Sequence, residues 1–206
     1  MATSVSYDTR AIAAAFTLLG DFASAEPYGS GHINDTFALE MTQGGRRLRY
    51  VLQRINHNIF KNPDGLMENV ERVCRHTQAK LQAAGAADAS RRALTLVPTK
   101  AGRGWHTDPA GNRWRCYVFV EGATGHDIIR NADQAFQAAK AFGAFQALVA
   151  DLPGGRLVET IPYFHHTPTR FANFQTALAK DAHGRAAQAL PEIAFALARA
   201  HEVGVI

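Results

Sequence analysis

Cysteine is scarce in this chain of 206 residues: Cys74 and Cys116 are its only two. They stand far apart with no paired spacing, which argues against a disulfide scaffold or a cysteine-ligated metal and predicts buried thiols in a reducing compartment, the cytoplasm. Long apolar runs are also missing. The longest candidate, Ala11 to Gly20, is followed by Ala23-Ser24-Ala25 and so imitates a signal peptide with its cleavage site. Asp8 offsets Arg10, however, and Asp21 interrupts the tail, while Ile12, Phe16, Leu19 and Phe22 fall on one helical face, so the segment reads as an amphipathic N-terminal helix. No run reaches the roughly 20 apolar residues that a membrane span needs. Charge of one sign is not concentrated either. The 22 basic and 18 acidic residues leave +4, and the only dense cluster, Arg46-Arg47-Leu48-Arg49, follows Gly44-Gly45 as a solvated hairpin tip would. Neither a nucleic acid nor a membrane is an expected partner. There is no internal repeat, no low-complexity tract and no Walker sequence.

With 47% hydrophobic residues, the chain can bury one substantial core or two small ones, as a soluble globular protein. Thr36 to Met41, Leu48 to Ile55, Leu94 to Val97 and Arg113 to Val120 read as strands. A helix from Leu66 to Ala84 follows the second of these, with Leu66, Val70, Val73, Thr77 and Leu81 on one face and Pro63-Asp64 before its first turn. From Ala132 onward the spacing becomes helical, with Phe136, Ala139, Phe142, Phe145 and Val149 in one stripe; two further helices are expected at Arg170 to Ala182 and Ala186 to His201. The fold class is α+β: an antiparallel sheet with one helix packed on it over residues 1–121, then a helical region over 122–206, with the boundary near Gly122.

The stretch from Pro27 to Phe60 carries the clearest chemical signal. A turn, Tyr28-Gly29-Ser30-Gly31-His32-Ile33-Asn34, joins two strands, and Arg54 ends the strand after them. Glycine lets backbone amides approach an anion, and a guanidinium pairs bidentately with phosphate oxygens. The same pattern also fits a plain hairpin. Downstream, Glu68 and Glu71 lie on the amphipathic helix within reach of the sheet. A glycine turn, a strand-borne cation and a helix-borne glutamate, in that order, describe the small lobe of a kinase.

The chain resembles the aminoglycoside/choline phosphotransferase superfamily, and within it the bacterial N-acetylhexosamine 1-kinases. The likeness is carried by colinear blocks: Glu26 to Asn34, Tyr50 to Asn56, Asn69-Val70-Glu71, Trp114 to Glu121 and Glu159 to Pro168, with a weaker one from Ala177 to Ala187. It implies a protein-kinase-like fold that binds ATP with Mg²⁺ and passes the γ-phosphoryl group to a small substrate, here the anomeric hydroxyl of a sugar. Choline, homoserine or an aminoglycoside are alternative substrates, and a non-catalytic nucleotide-binding or interaction module is the alternative outside that class.

Residue by residue, the resemblance implies that Gly29, Ser30, Gly31, His32 and Asn34 form the phosphate-facing loop and that Arg54 meets the nucleotide phosphates. Glu71, or Glu68 one turn earlier, would orient Arg54. Leu52 would pack on the adenine or serve the core, and the backbone of Phe119, Val120 and Glu121 would read the adenine edge. His32 is open between a ligand contact and mere exposure. The family's catalytic His-Asn-Asp-x-Lys-x-x-Asn loop and its metal-binding Asp do not occur before Ile206; the one His-x-Asp, His106-Thr107-Asp108, belongs to a turn, Asp108-Pro109-Ala110-Gly111-Asn112. The resemblance therefore implies a fragment that is inactive alone, with no catalytic or metal-binding residue in this chain, metal ligands outside it, and self-association through an incomplete helical lobe.

Overall fold

Gly44 and Gly45 adopt φ of 55° and 75°, the left-handed pair that a two-residue hairpin demands, and they join the two longest strands. The computed structural model describes residues 7–205 and divides into two compact units between Thr160 and Ile161. In the first, helix α1 (Thr9–Ala13) precedes strands β1 (Asp21–Pro27), β2 (Asp35–Gln43) and β3 (Arg46–Ile55). Helices α2 (Pro63–Ala83) and α3 (Ala89–Arg92), strands β4 (His106–Thr107) and β5 (Arg113–Val118), and helix α4 (Ala132–Val149) follow. The sheet is antiparallel throughout, in the order β1-β2-β3-β5-β4. The second unit holds α5 (Thr167–Lys180) and α6 (Leu190–Ala198), with short 3₁₀ turns at Ala186–Ala189 and Ala200–Glu202.

Both sheet faces are covered. On one, Leu39, Met41, Tyr50, Leu52, Trp114 and Cys116 pack with Ile12, Ala13 and Phe16 of the N-terminal segment. On the other, Ile55 packs with Met67 of α2 and with Trp105. Three successive residues of β3, Tyr50, Val51 and Leu52, are consequently buried, and simple in-out alternation disappears. α2 begins three residues before the Leu66 that its apolar spacing predicts: the Asn62 side chain caps it by accepting from the Gly65 amide at 2.9 Å, and Pro63 lies within the first turn rather than before it. Its outer face holds the segment after α4, through a paired amide contact between Asn69 and Val158, Arg72 donating to the Pro153 and Gly155 carbonyls, and Lys80 on Asp151 at 2.6 Å.

Three expected elements differ. The last expected helix, Ala186 to His201, is α-helical only at Leu190–Ala198, with a 3₁₀ turn on either side. The N-terminal helix stops at Ala13, because Lys100 donates to the Ala15 carbonyl, Thr17 to that of Pro98, and Phe16 bridges Thr99. Gly20 (φ +83°) then turns the chain into β1, where a Cβ would lie 2.4 Å from the Thr42 carbonyl oxygen. Phe22 and Ala23-Ser24-Ala25 thus form an edge strand, and Leu19 is exposed. Leu94 to Val97 is a single bridge at Leu96 to Tyr117, extended by hydrogen bonds from the Val97 amide to Cys116 and from the Val118 amide to Thr95, and Pro98 ends it. Both cysteines are free and buried; burial pushes the Cys116 thiol up to about 12.

Asp108 organises the β4–β5 turn as its sequence suggests. Burial raises its carboxyl pKa, but donation from the Asn112 side chain, the Trp114 indole (2.9 Å) and the Asn112 amide outweighs this and leaves it below the ordinary 3.8. A depressed folded-state pKa contributes stability that is present above the ordinary value and lost as pH falls through the folded one. Asp108→Ala should cost about 1 to 3 kcal/mol at neutral pH, since it leaves the buried indole N–H unpaired. Urea titrations at pH 7 and pH 3 check this: the gap between wild type and variant should narrow at pH 3, and a gap that stays constant would show that the charge contributes nothing.

Candidate functional site

The turn between β1 and β2 is held at its ends and open at its tip. Tyr28 donates its amide to the Thr36 carbonyl, the Asn34 side chain accepts from the Asn56 amide at 2.9 Å, and the Asn56 side chain donates to the Ile33 carbonyl. Between these anchors, Gly29 (φ +86°) and Gly31 have no atom within 4 Å of where a Cβ would stand. Ser30 and His32 are exposed beside them. Such a turn offers backbone amides to an anion with no side chain in the way.

The structure places Arg54 beside this turn but pairs it elsewhere. Its Nε lies 2.6 Å from Asp35 Oδ2, and the same carboxylate oxygen accepts from the Tyr7 hydroxyl at 2.8 Å. Arg54 and the turn residues Gly29, Gly31 and Asn34 border one cavity of about 490 Å³, with Tyr7 and Asp35 in the same wall. Leu52, two residues earlier on the same strand face, is fully buried among the α1-side core residues. It has the core role of the two open to it. Glu71 is not brought to Arg54: its Oε1 accepts from the Gly104 amide at 2.5 Å and holds the loop before β4, while Glu68 is exposed on α2.

The opposite face of β3 presents Arg49, Val51 and Gln53. Here a second cavity, about 290 Å³, is lined by Tyr28, Gly29, Gly31, Thr36, Val51, Tyr117, Phe119, Val120 and Ala123. It joins the glycine turn to the segment after β5, the two pieces whose backbones were expected to face one ligand. Phe119 stacks edge-on against Tyr28 (5.3 Å) and lies under the Arg49 guanidinium (3.9 Å). Arg49 is ion-paired with Glu121, and this interaction lowers the Glu121 carboxyl pKa. Two backbone groups of the segment are engaged within the protein: the Phe119 amide donates to the Arg49 carbonyl at 3.2 Å, and the Glu121 carbonyl accepts from Arg91.

Along the next cross-strand row, Thr36, Gln53 and Arg115 are register partners. Gln53 donates through Nε2 to Thr36 Oγ1 at 2.8 Å, and its Oε1 accepts from Arg115 Nε at 3.0 Å and Nη2 at 2.6 Å. Burial lowers the Arg115 pKa, and Arg115 makes no ion pair among the described residues. The sequence reading missed this residue. Its signal was a polar pair, Gln53 and Arg115, next to the apolar runs Tyr50-Val51-Leu52 and Cys116-Tyr117-Val118 of two adjacent strands. Among the described residues no three histidine, cysteine or carboxylate side chains cluster as metal ligands, so no step through Mg²⁺ is assigned to them.

Residues 24–203 match the phosphotransferase enzyme family, and the chain belongs to it. Among solved structures it is similar to a spectinomycin phosphotransferase in complex with ADP and spectinomycin, at a TM-score of 0.44 and 10% sequence identity. That match covers 77% of this chain and 43% of the spectinomycin enzyme, so the chain spans less than half of that enzyme's length.

Proposed function

We propose that this member of the phosphotransferase enzyme family is the nucleotide-binding portion of an ATP-dependent small-molecule kinase whose acceptor is the anomeric hydroxyl of an N-acetylhexosamine. Residues 1–121 form the nucleotide lobe and residues 122–206 the start of a helical lobe. The observation that carries the nucleotide reading is the cavity of about 290 Å³ between the glycine turn and Phe119-Val120. Its apolar walls, Val51, Tyr117 and Phe119, suit a flat purine, and Gly29 and Gly31 at its rim suit the phosphate chain. The sugar acceptor is supported by the colinear blocks from Glu26 to Pro168, which resemble the N-acetylhexosamine 1-kinases more than other members of the superfamily.

Within this reading Arg54 is a positioning residue. Through Asp35 and Tyr7 it fixes the first residue of β2, and so the exit of the turn. Glu71 likewise positions the loop at Gly104. Adenosine and ATP should both bind the 206-residue chain in calorimetry. The whole protein that contains this chain should convert N-acetylhexosamine and Mg-ATP to the sugar 1-phosphate, with choline, homoserine and an aminoglycoside as comparison acceptors. No binding of adenosine would sink the nucleotide reading; turnover confined to another acceptor would sink the sugar.

A further inference from the structure

Arg54 and Arg115 sit in the two rows where the glycine turn enters β2, Arg54 opposite Asp35 and Arg115 joined through Gln53 to Thr36, and electrostatics separates them. Arg54 already has a carboxylate at 2.6 Å, so an arriving phosphate meets a neutral pair and must compete with Asp35. Among the described residues Arg115 is bonded only to the neutral side-chain carbonyl of Gln53. A guanidinium withdrawn from water without a counter-ion is costly, and a phosphate oxygen returns more than an amide carbonyl does, because a bond charged at both ends is the stronger one. Position agrees with charge. Arg115 sits on the sheet face that lines the cavity, one row beyond Val51 and Tyr117, and is linked through Gln53 to Thr36, itself a cavity residue.

We infer that Arg115 is the cation that meets the nucleotide phosphates, with Gln53 as the placeholder acceptor that phosphate oxygens replace. This rests on the nucleotide reading of the cavity. On binding, Gln53 gives up the Arg115 N–H groups and keeps its own donation to Thr36; both guanidinium donors then turn to the phosphate chain. The device suits a site that must stay folded when empty, since Gln53 holds the guanidinium in place without neutralising it.

The test compares the affinities of ATP and adenosine for the 206-residue chain, in wild type, Arg115→Met and Arg115→Lys. Wild type should bind ATP more tightly than adenosine. Arg115→Met should erase about ten- to a hundredfold of that preference, the range for charge-assisted hydrogen bonds, and leave adenosine affinity within twofold. Arg115→Lys should restore part of the preference as a point charge without the bidentate fork. An unchanged preference in Arg115→Met overturns the inference while adenosine binding keeps the cavity reading intact; absence of adenosine binding in wild type overturns both. Should Arg115→Met fail to fold, Arg115→Gln makes the same comparison, with an amide still able to donate to Gln53.

Discussion

Replacing Trp114 with alanine should be the most destabilising single change in the sheet, at about 3 to 5 kcal/mol, the range for emptying a large aromatic site in a core. Trp114 is fully buried and stands in the middle of the α1-side face. The Tyr7 ring meets it edge-on at 5.0 Å, Phe37 lies 6.1 Å away, and the indole N–H donates to Asp108 at 2.9 Å. Alanine therefore leaves a cavity and also removes a donor from the Asp108 carboxylate. The damage extends toward the site. Tyr7 loses the surface that aims its hydroxyl at Asp35, and Asp35 holds Arg54. Urea unfolding followed by far-ultraviolet circular dichroism measures the loss; a cost under about 1 kcal/mol would mean that the site collapses around the gap.

Much of this architecture was legible because it rests on local chemistry. The Gly44-Gly45 hairpin, the presence of α2 (though its start came at Pro63 rather than Leu66) and the Asp108 to Asn112 turn each follow from local residue pattern, from residues that need a particular backbone or from side chains that close a turn. What could not be read was anything decided by a partner distant in sequence. β1 is assembled from Ala23, Ser24 and Ala25, poor strand formers, and exists because β2 offers it a ladder. Glu71 sits on the predicted helix, but its partner at Gly104 depends on a loop path that no periodicity encodes.

The same limit explains the choice between Arg54 and Arg115. A strand's side chains alternate, so an error of one position moves every residue to the other face. Leu52 and Arg54 share one face, and Val51 and Gln53 the other. With both faces of β3 covered, Tyr50-Val51-Leu52 reads as a uniform apolar run, and nothing in it marks which side the ligand approaches. The glycine turn does not decide either, since it borders a cavity on each side.

Val51→Trp puts that assignment to the strongest test. Val51 is nearly buried in the wall of the cavity between the turn and Phe119-Val120, with Ala38 and Tyr117 as its strand partners. The cavity in front of it gives an indole room, at the expense of whatever ligand belongs there. Adenosine and ATP affinities should both fall by more than about a hundredfold, roughly 3 kcal/mol or more, since a filled pocket excludes the base and its phosphates alike. The pattern differs from that expected for Arg115→Met, which reduces ATP affinity and spares adenosine. Calorimetry with both ligands, alongside a thermal melt showing the variant folded, makes the comparison. If Val51→Trp binds adenosine as wild type does, the nucleotide does not occupy this cavity, and the larger one beside Arg54 becomes the site to examine.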